Sequence, residues 1–428
     1  MAPLVELPWG VLELIAGSLD AKGRVFLLAT CRRLHQLEQA APGALWQEVT
    51  GLVLSDPAQA LRCGRWLAAR NPFIRRLQLA LRFPDISGAH ACLLGTKLAG
   101  AALLEVLSLQ AVGSVEVGAW IGGLPRLQSL AVGSSEGRVA LRAALASATA
   151  LLSLRAWGSK GVELEPYCLP SQLEQADLQQ PPTTALRALA GSAHLMRLDL
   201  SRCRATLDCG QLGRLASLTH LALSSCHLTT VPPQLSALTN LVHLNLATNR
   251  LEGHGWGHLL PLTRLTSLDL RHQLGNRRLQ LPAGLLSLCS LLELLLADNP
   301  FTHSLPSPPV PSLAPGGPSP PTLSTLSLDF EVATRSHAAL ARLGPSLRHL
   351  WLVAASGQVG VAAPSPQDAA AFIRALARMP GGLRVRWWDS VFGRAEFDLA
   401  DPLQLAGLVL RLAQRYPPLL GMTLGGGQ

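Results

Sequence analysis

The chain has 428 residues, a formal net charge of +9, and a composition that is 48% hydrophobic but only 15% charged. Such a chain can bury a large core and is not disordered, and its length allows two or three ordinary domains or one long repeat array. Aromatic residues make up only 4%, so most of the core must be built from Leu and Ala in regular layers.

The positive charge is spread along the chain as single Arg residues, densest in RNPFIRR (Arg70 to Arg76) and RVRWWDSVFGR (Arg384 to Arg394). Nucleic-acid binding favours a concentrated basic stripe, so no nucleic-acid partner is expected. The most apolar segment, Leu285 to Asp298, is broken by Ser and Glu. It falls short of the ~18 apolar residues a membrane span requires, so no membrane partner is expected either. Glu6 precedes the first apolar run and no Lys or Arg does, which fits neither a secretory signal nor an Arg-rich transit peptide. Eight cysteines occur without a CxxC pair, consistent with reduced thiols in the cytoplasm or nucleus.

The opening segment, residues 5–52, reads as small and helical. Leu12, Ile15, Ala16 and Leu19 follow helical spacing after Pro8, a residue tolerated in a first helical turn. A second helix is predicted from Arg24 to Leu37. It contains VFLLA (Val25 to Ala29), so it is apolar on more than one face and must be covered on more than one side. A third short helix after Pro42 places Leu45 and Trp46 inward. A unit of this size is marginal alone and needs a partner. Leu7-Pro8, Leu12/Ile15/Leu19, Asp20, Leu27-Leu28, Cys31-Arg32-Arg33-Leu34 and Leu45-Trp46 resemble an F-box in order and spacing. Trp9-Gly10 replaces polar helix starters, and Leu34 replaces an aromatic. The resemblance implies docking to the Skp-family adaptor of a cullin-based SCF ubiquitin ligase through Leu7, Pro8, Leu12, Ile15, Leu28 and Leu34. The alternative is that these helices only cap the array that follows.

Residues 53–103 read as irregular first repeats or a linker, with a weak copy of the later motif at Ile74 (IRRLQL). From Leu104 the pattern LxxLxL recurs, starting at Leu104, Leu127, Leu151, Leu173, Leu195, Leu218, Leu241, Leu265 and Leu291. The steps are 23, 24, 22, 22, 23, 23, 24 and 26 residues. A step of 32 leads to Leu323 and one of 24 to Leu347, and weak copies follow at Leu383 and Leu419. The last two leucines of each copy lie two apart, so they point to one side of a short strand. No copy can bury its leucines alone, and stacking makes a continuous core. Eight residues after the first leucine stand Cys203, Cys226, Asn249, Gln273 and Asn299. The chain resembles a leucine-rich-repeat protein from about Ile74 onward. The resemblance implies an α/β solenoid, a horseshoe with a parallel concave sheet, and an inward Asn/Cys ladder bonding the loop backbone.

Within the array, 104–303 is the main block. Its central repeats, Leu195 to Asn299, are the most regular. Those from Leu104 to Leu178 look looser and helix-prone, as in ALRAALASATALLSLRA. Leu305 to Thr322, Pro-rich and uncharged, reads as a loop insertion over 304–322. It is followed by C-terminal repeats and a cap over 323–428.

No GxxxxGK[ST], HExxH, GxSxG or strand-following GxGxxG occurs, so neither enzyme nor cofactor is expected. The two His of GHGWGH (Gly253 to His258) lack an acidic or Cys partner. His220 and His243 occupy the same place in adjacent repeats, about 4.8 Å apart. They read as a polar ladder better than as a metal pair. The candidate binding residues lie between and after the strand leucines, pointing away from the core: Arg155, Trp157, Arg197, Asp199, His220, His243, Asn245, Asp269, Arg271, Glu293, His349 and Trp351, with Gln175 and Asp177. Arg, Trp, His and Asp together suit a target protein. The expected role is a non-catalytic substrate receptor of an SCF-type ligase. The alternative is a scaffold at the cytoskeleton or axoneme.

Overall fold

The computed structural model describes residues 46–83, 98, 100–203, 206–252, 254–273, 281, 283–299, 304–306, 322–354, 364–379, 382–389 and 393–415. Leu7, Pro8, Leu12, Ile15, Leu28 and Leu34 lie outside the described residues, as do most of the Pro-rich insertion and the weak repeat at Leu419. The chain divides into two compact units, Met1–Ser217 and Leu218–Gln428.

In the first unit, strands β1 (Glu48–Leu54), β2 (Arg76–Leu81), β3 (Val106–Ala111), β5 (Ser129–Ser134), β7 (Ser153–Gly158), β9 (Gln175–Gln179) and β10 (Arg197–Asp199) pair in that order. All are parallel. The weak copy at Ile74 thus supplies β2. β1 runs through Leu52, so the strand array starts before the sequence motif does. Between β1 and β2 lies helix α1 (Pro57–Ala68), which Asp56 caps by accepting the Gln59 N–H at 2.8 Å. Trp46 is fully buried beside it, edge-on to Trp66 at 4.9 Å, with the Arg70 guanidinium over both rings.

A second sheet in this unit joins β4 (Val115–Val117), β6 (Val139–Leu141) and β8 (Val162–Leu164). The repeats from Leu104 to Leu178 are therefore not looser and helix-prone. Each of the three from Leu104 to Leu151 carries a six-residue front strand and a three-residue back strand. Two strands in 22–24 residues leave room for little more than one 3-10 turn, such as Ala143–Ser147 in the Ala-rich stretch. Val115, Val139 and Val162 repeat at the same step as the leucines, and β-branched residues favour the extended chain.

In the second unit the order is β11 (His220–Ala222), β12 (His243–Asn245), β13 (Ser267–Asp269), β14 (Glu293–Leu295), β15 (Thr325–Asp329), β16 (His349–Val353), β17 (Arg384–Asp389) and β18 (Gly393–Asp398). All neighbours are parallel except β17 and β18. The return segments before β15 are 3-10 turns. After β15 they become helical, as α3 (Phe330–Arg335), α4 (His337–Leu343) and α5 (Pro366–Ala377), with α6 (Pro402–Arg415) following β18. A short α2 (Ala185–Leu189) sits in the first unit. The return from Val353 to Arg384, which holds α5, is longer than the earlier ones, whereas that from Asp329 to His349, which holds α3 and α4, is not. Phe330 meets Phe372 and Trp387 edge-on at 5.9 and 5.5 Å, a second local aromatic core in addition to that of Trp46 and Trp66.

The ladder is visible bond by bond. Asn249 is fully buried. Its Oδ1 accepts from the Cys226 and Leu228 N–H groups, and its Nδ2 donates to the Leu223 and Leu246 carbonyls. Gln273 and Asn299 repeat the arrangement one and two copies on. Immediately before the ladder residue the backbone is left-handed in five copies: Arg202, Ser225, Thr248, His272 and Asp298 have φ between 56° and 66°. None is Gly, and each such residue costs about 1–2 kcal/mol. The ladder bonds offset that cost by satisfying the loop backbone. Past Asn299 the role passes to Asp329, which accepts from the N–H groups of Asp298 and Asn299. Burial pushes the Asp329 carboxyl up to about 7 against the pull of those two N–H groups, with Asp298 and Glu331 adding to the rise.

Candidate functional site

The motif leucines of the strands face inward, so the residues that alternate with them form an outward face on each sheet. In the first unit, β7, β9 and β10 set Arg155, Asp177 and Asp199 side by side, with Arg197 opposite Gln175. Arg155 Nε donates to Asp177 at 2.9 Å. Burial first, and Asp199 second, push the Asp177 carboxyl above its ordinary range, against the pull of Arg155. Trp157 lies over Gly133 on the neighbouring strand. A Cβ at 133 would run into the indole, so only Gly admits the ring there.

In the second unit His220 and His243 are in register. Their rings stack at 4.4 Å with 25° between planes. The lone pairs of stacked imidazoles lie in nearly parallel planes and do not converge on one ion. Among the described residues no group of three or more His, Cys, Asp or Glu could hold a metal. Asp269, only 8% exposed, receives two bonds from the Arg271 guanidinium, and Glu293 accepts from the Ser267 hydroxyl. Leu295 and Ser327, the next outward positions, are buried, so this stretch presents little open surface. His349 and Trp351 stand on β16, in register with Arg384 and Arg386 of β17. The Arg386 guanidinium lies over the Trp351 ring at 5.6 Å.

Three of the expected binding residues have structural work as well. Asp199, Asn245 and Asp269 each accept the N–H two residues on, at 2.9, 2.9 and 3.1 Å. This Asx turn starts the loop that leads to the ladder. The sequence reading missed Arg384, Arg386, Trp388 and Arg394. The signal is there, since R-V-R-W-W-D alternates with period two. Burial of Cys63 and Cys168 pushes each thiol up to about 11, which keeps both in the unreactive protonated form.

The sequence model of the leucine-rich-repeat family matches residues 216–274. An internalin from Listeria monocytogenes is similar at 16% identity, over 69% of this chain and 87% of its own, with a TM-score of 0.45. A leucine-rich-repeat protein from Leptospira interrogans is similar at 17% identity, over 76% of this chain and 86% of its own, with a TM-score of 0.42. The leucine-rich-repeat ectodomain of an Arabidopsis thaliana membrane receptor kinase, solved in complex with Casparian strip integrity factor 2, shares 17% identity, over 81% of this chain and 38% of its own, with a TM-score of 0.42. No curated protein matches the chain. No F-box family model is among the matches, and no helix among the described residues is long and apolar enough to cross a membrane. Stacked leucine strands, the inward ladder and the family match at 216–274 together give this chain the leucine-rich-repeat fold.

Proposed function

We propose that the chain is a non-catalytic protein-binding scaffold whose outward strand faces hold a target protein. One observation carries this reading: within each unit, neighbouring strands present Arg, Trp, His and Asp in fixed register. Rigid aromatic and Arg anchors on such a frame are what protein recognition uses.

The finer reading is a substrate-recognition subunit of an SCF-type E3 ubiquitin ligase. It rests on the sequence of the opening segment, where Leu7-Pro8, Cys31-Arg32 and Leu45-Trp46 keep the F-box order. The helices would bind the Skp-family adaptor, and a target held on the repeats would be brought near a ubiquitin-conjugating enzyme. Acceleration would come from proximity alone. The coarser alternative, a scaffold at the cytoskeleton or axoneme, keeps the strand faces and drops the adaptor. Its coarser part, a leucine-rich-repeat scaffold that binds protein, has the better support from the family match.

Co-purification with a Skp-family adaptor separates them. The SCF reading predicts a complex with the wild-type chain that is lost in a Leu7→Ala/Pro8→Ala variant with unchanged circular dichroism. A folded wild type that does not bind the adaptor would leave the scaffold reading.

A further inference from the structure

We propose that β18 and the Trp/Arg face beside it dock an extended acidic segment of a partner protein as an added strand. This deepens the protein-binding reading of the repeats and rests on it.

The edge comes first. Among the described residues β18 is the last strand of its sheet, and it pairs antiparallel with β17. The Leu399 N–H bonds the Leu383 carbonyl. Because bonded and non-bonded pairs alternate in an antiparallel ladder, Phe397, Ala395 and Gly393 point their backbone groups at β17, while Asp398, Glu396 and Arg394 point theirs outward. The outward Asp398 N–H is taken by the Gln404 side chain at 2.7 Å, and the Asp398 carbonyl accepts from the Asp401 N–H. Those of Arg394 and Glu396 find no partner among the described residues. An unpaired row of this kind is a template for another strand.

The charge on the adjoining face selects the occupant. Phe397, Val385, Trp387, Leu350 and Leu352 are buried, so Arg394, Glu396, Trp388, Arg386, Arg384 and Trp351 share the opposite face. Arg386 is held by Glu396 at 3.3 Å and covers Trp351, whose indole N–H is buried without an acceptor. Arg384 and Arg394 have no carboxylate within 4 Å among the described residues. Trp388 is 38% exposed. Two unpaired guanidinium groups beside an indole fit carboxylate side chains on a neighbouring strand. Below the sheet, α6 packs Gly407 against Phe397 and leaves Leu403 and Leu410 exposed, seven residues apart on one stripe. The complementary segment therefore alternates acidic and apolar residues, with carboxylates above and aliphatic groups below.

The test uses the full chain and a fluorescein-labelled octapeptide of alternating Glu and Val, with a Lys-Val octapeptide as control, read by anisotropy at low ionic strength. Saturable binding of the Glu-Val peptide alone is expected. An Arg384→Glu/Arg394→Glu variant should weaken it by about tenfold or more. Glu396→Pro removes one outward N–H without touching the β17 ladder and should do the same, while Glu396→Ala should not. Circular dichroism confirms that each variant is folded. A folded wild type that ignores the peptide overturns the proposal, as does equal binding of the Lys-Val peptide or undiminished binding by Glu396→Pro. Sedimentation that shows dimers lost in Glu396→Pro would make the occupant a second copy and also overturn it. Adaptor co-purification reads a different segment, so the two tests fail separately.

Discussion

Asn249 shows what single side chains do in this molecule. It closes bonds to two N–H groups and two carbonyls in a fully buried loop. Asn249→Ala leaves all four unmet, and a loss of about 3 kcal/mol or more is expected in chemical denaturation. Its neighbour Thr248 has the opposite sign. A β-branched residue at φ 57° is strained, and Asn tolerates that region. Thr248→Asn, which keeps the backbone bond from 248 to Arg271, should gain about 1 kcal/mol in the same assay. Asp329 adds a pH dependence. Its folded value, raised to about 7 by burial, lies above the ordinary value near 4 expected of an unfolded chain. Between those values the native state binds more protons than the unfolded one, so stability falls as pH rises through that window. The denaturation midpoint should drop between about pH 4 and pH 7, and Asp329→Asn should flatten that slope. An unchanged slope would place the titration elsewhere. The ladder positions could be read from the sequence because they keep register with the leucines. The left-handed residues before them could not, since none is the Gly that marks such a conformation.

At the scale of elements, the leucine strands followed directly from LxxLxL, and what failed was the reading of the segments between them. Ala-rich 141–150 looked helical but forms a 3-10 turn, because β6 and β7 take up the rest of the repeat. The signal was present in Val115, Val139 and Val162, which repeat at the leucine step, but three-residue strands are too short to stand out. Helical returns occur instead after β15, in the stretches 330–343 and 366–377. Packing across strands sets which residues the face can carry. Trp157 needs Gly133 beneath it, so Gly133→Ala should tilt the indole, shift its fluorescence and cost about 1–3 kcal/mol by overpacking. A spectrum unchanged from wild type would mean that the ring does not rest there. The outward residues themselves were readable from period two. Their burial and partners were not, and this is why Asp269, held by Arg271 and only 8% exposed, looked as available as His243.

For the molecule as a whole, division of labour is the main consequence. Inward positions hold the fold, and outward ones such as Arg155, His243 and Trp351 are left to carry function, apart from those that, like Asp199 and Asp269, also shape the loops. The net charge of +9 does not gather into one stripe. It is offset by pairs such as Arg155 with Asp177 and Arg386 with Glu396, which suits a protein target better than a polyanion. The most direct test places a photo-crosslinking benzoylphenylalanine at His243 or Trp157 on the strand faces, and at Thr239 on an exposed return segment, in separate full-length chains irradiated in cell extract. The account predicts discrete protein adducts at the two face positions and none at Thr239. Adducts at Thr239 with none at the faces would contradict it.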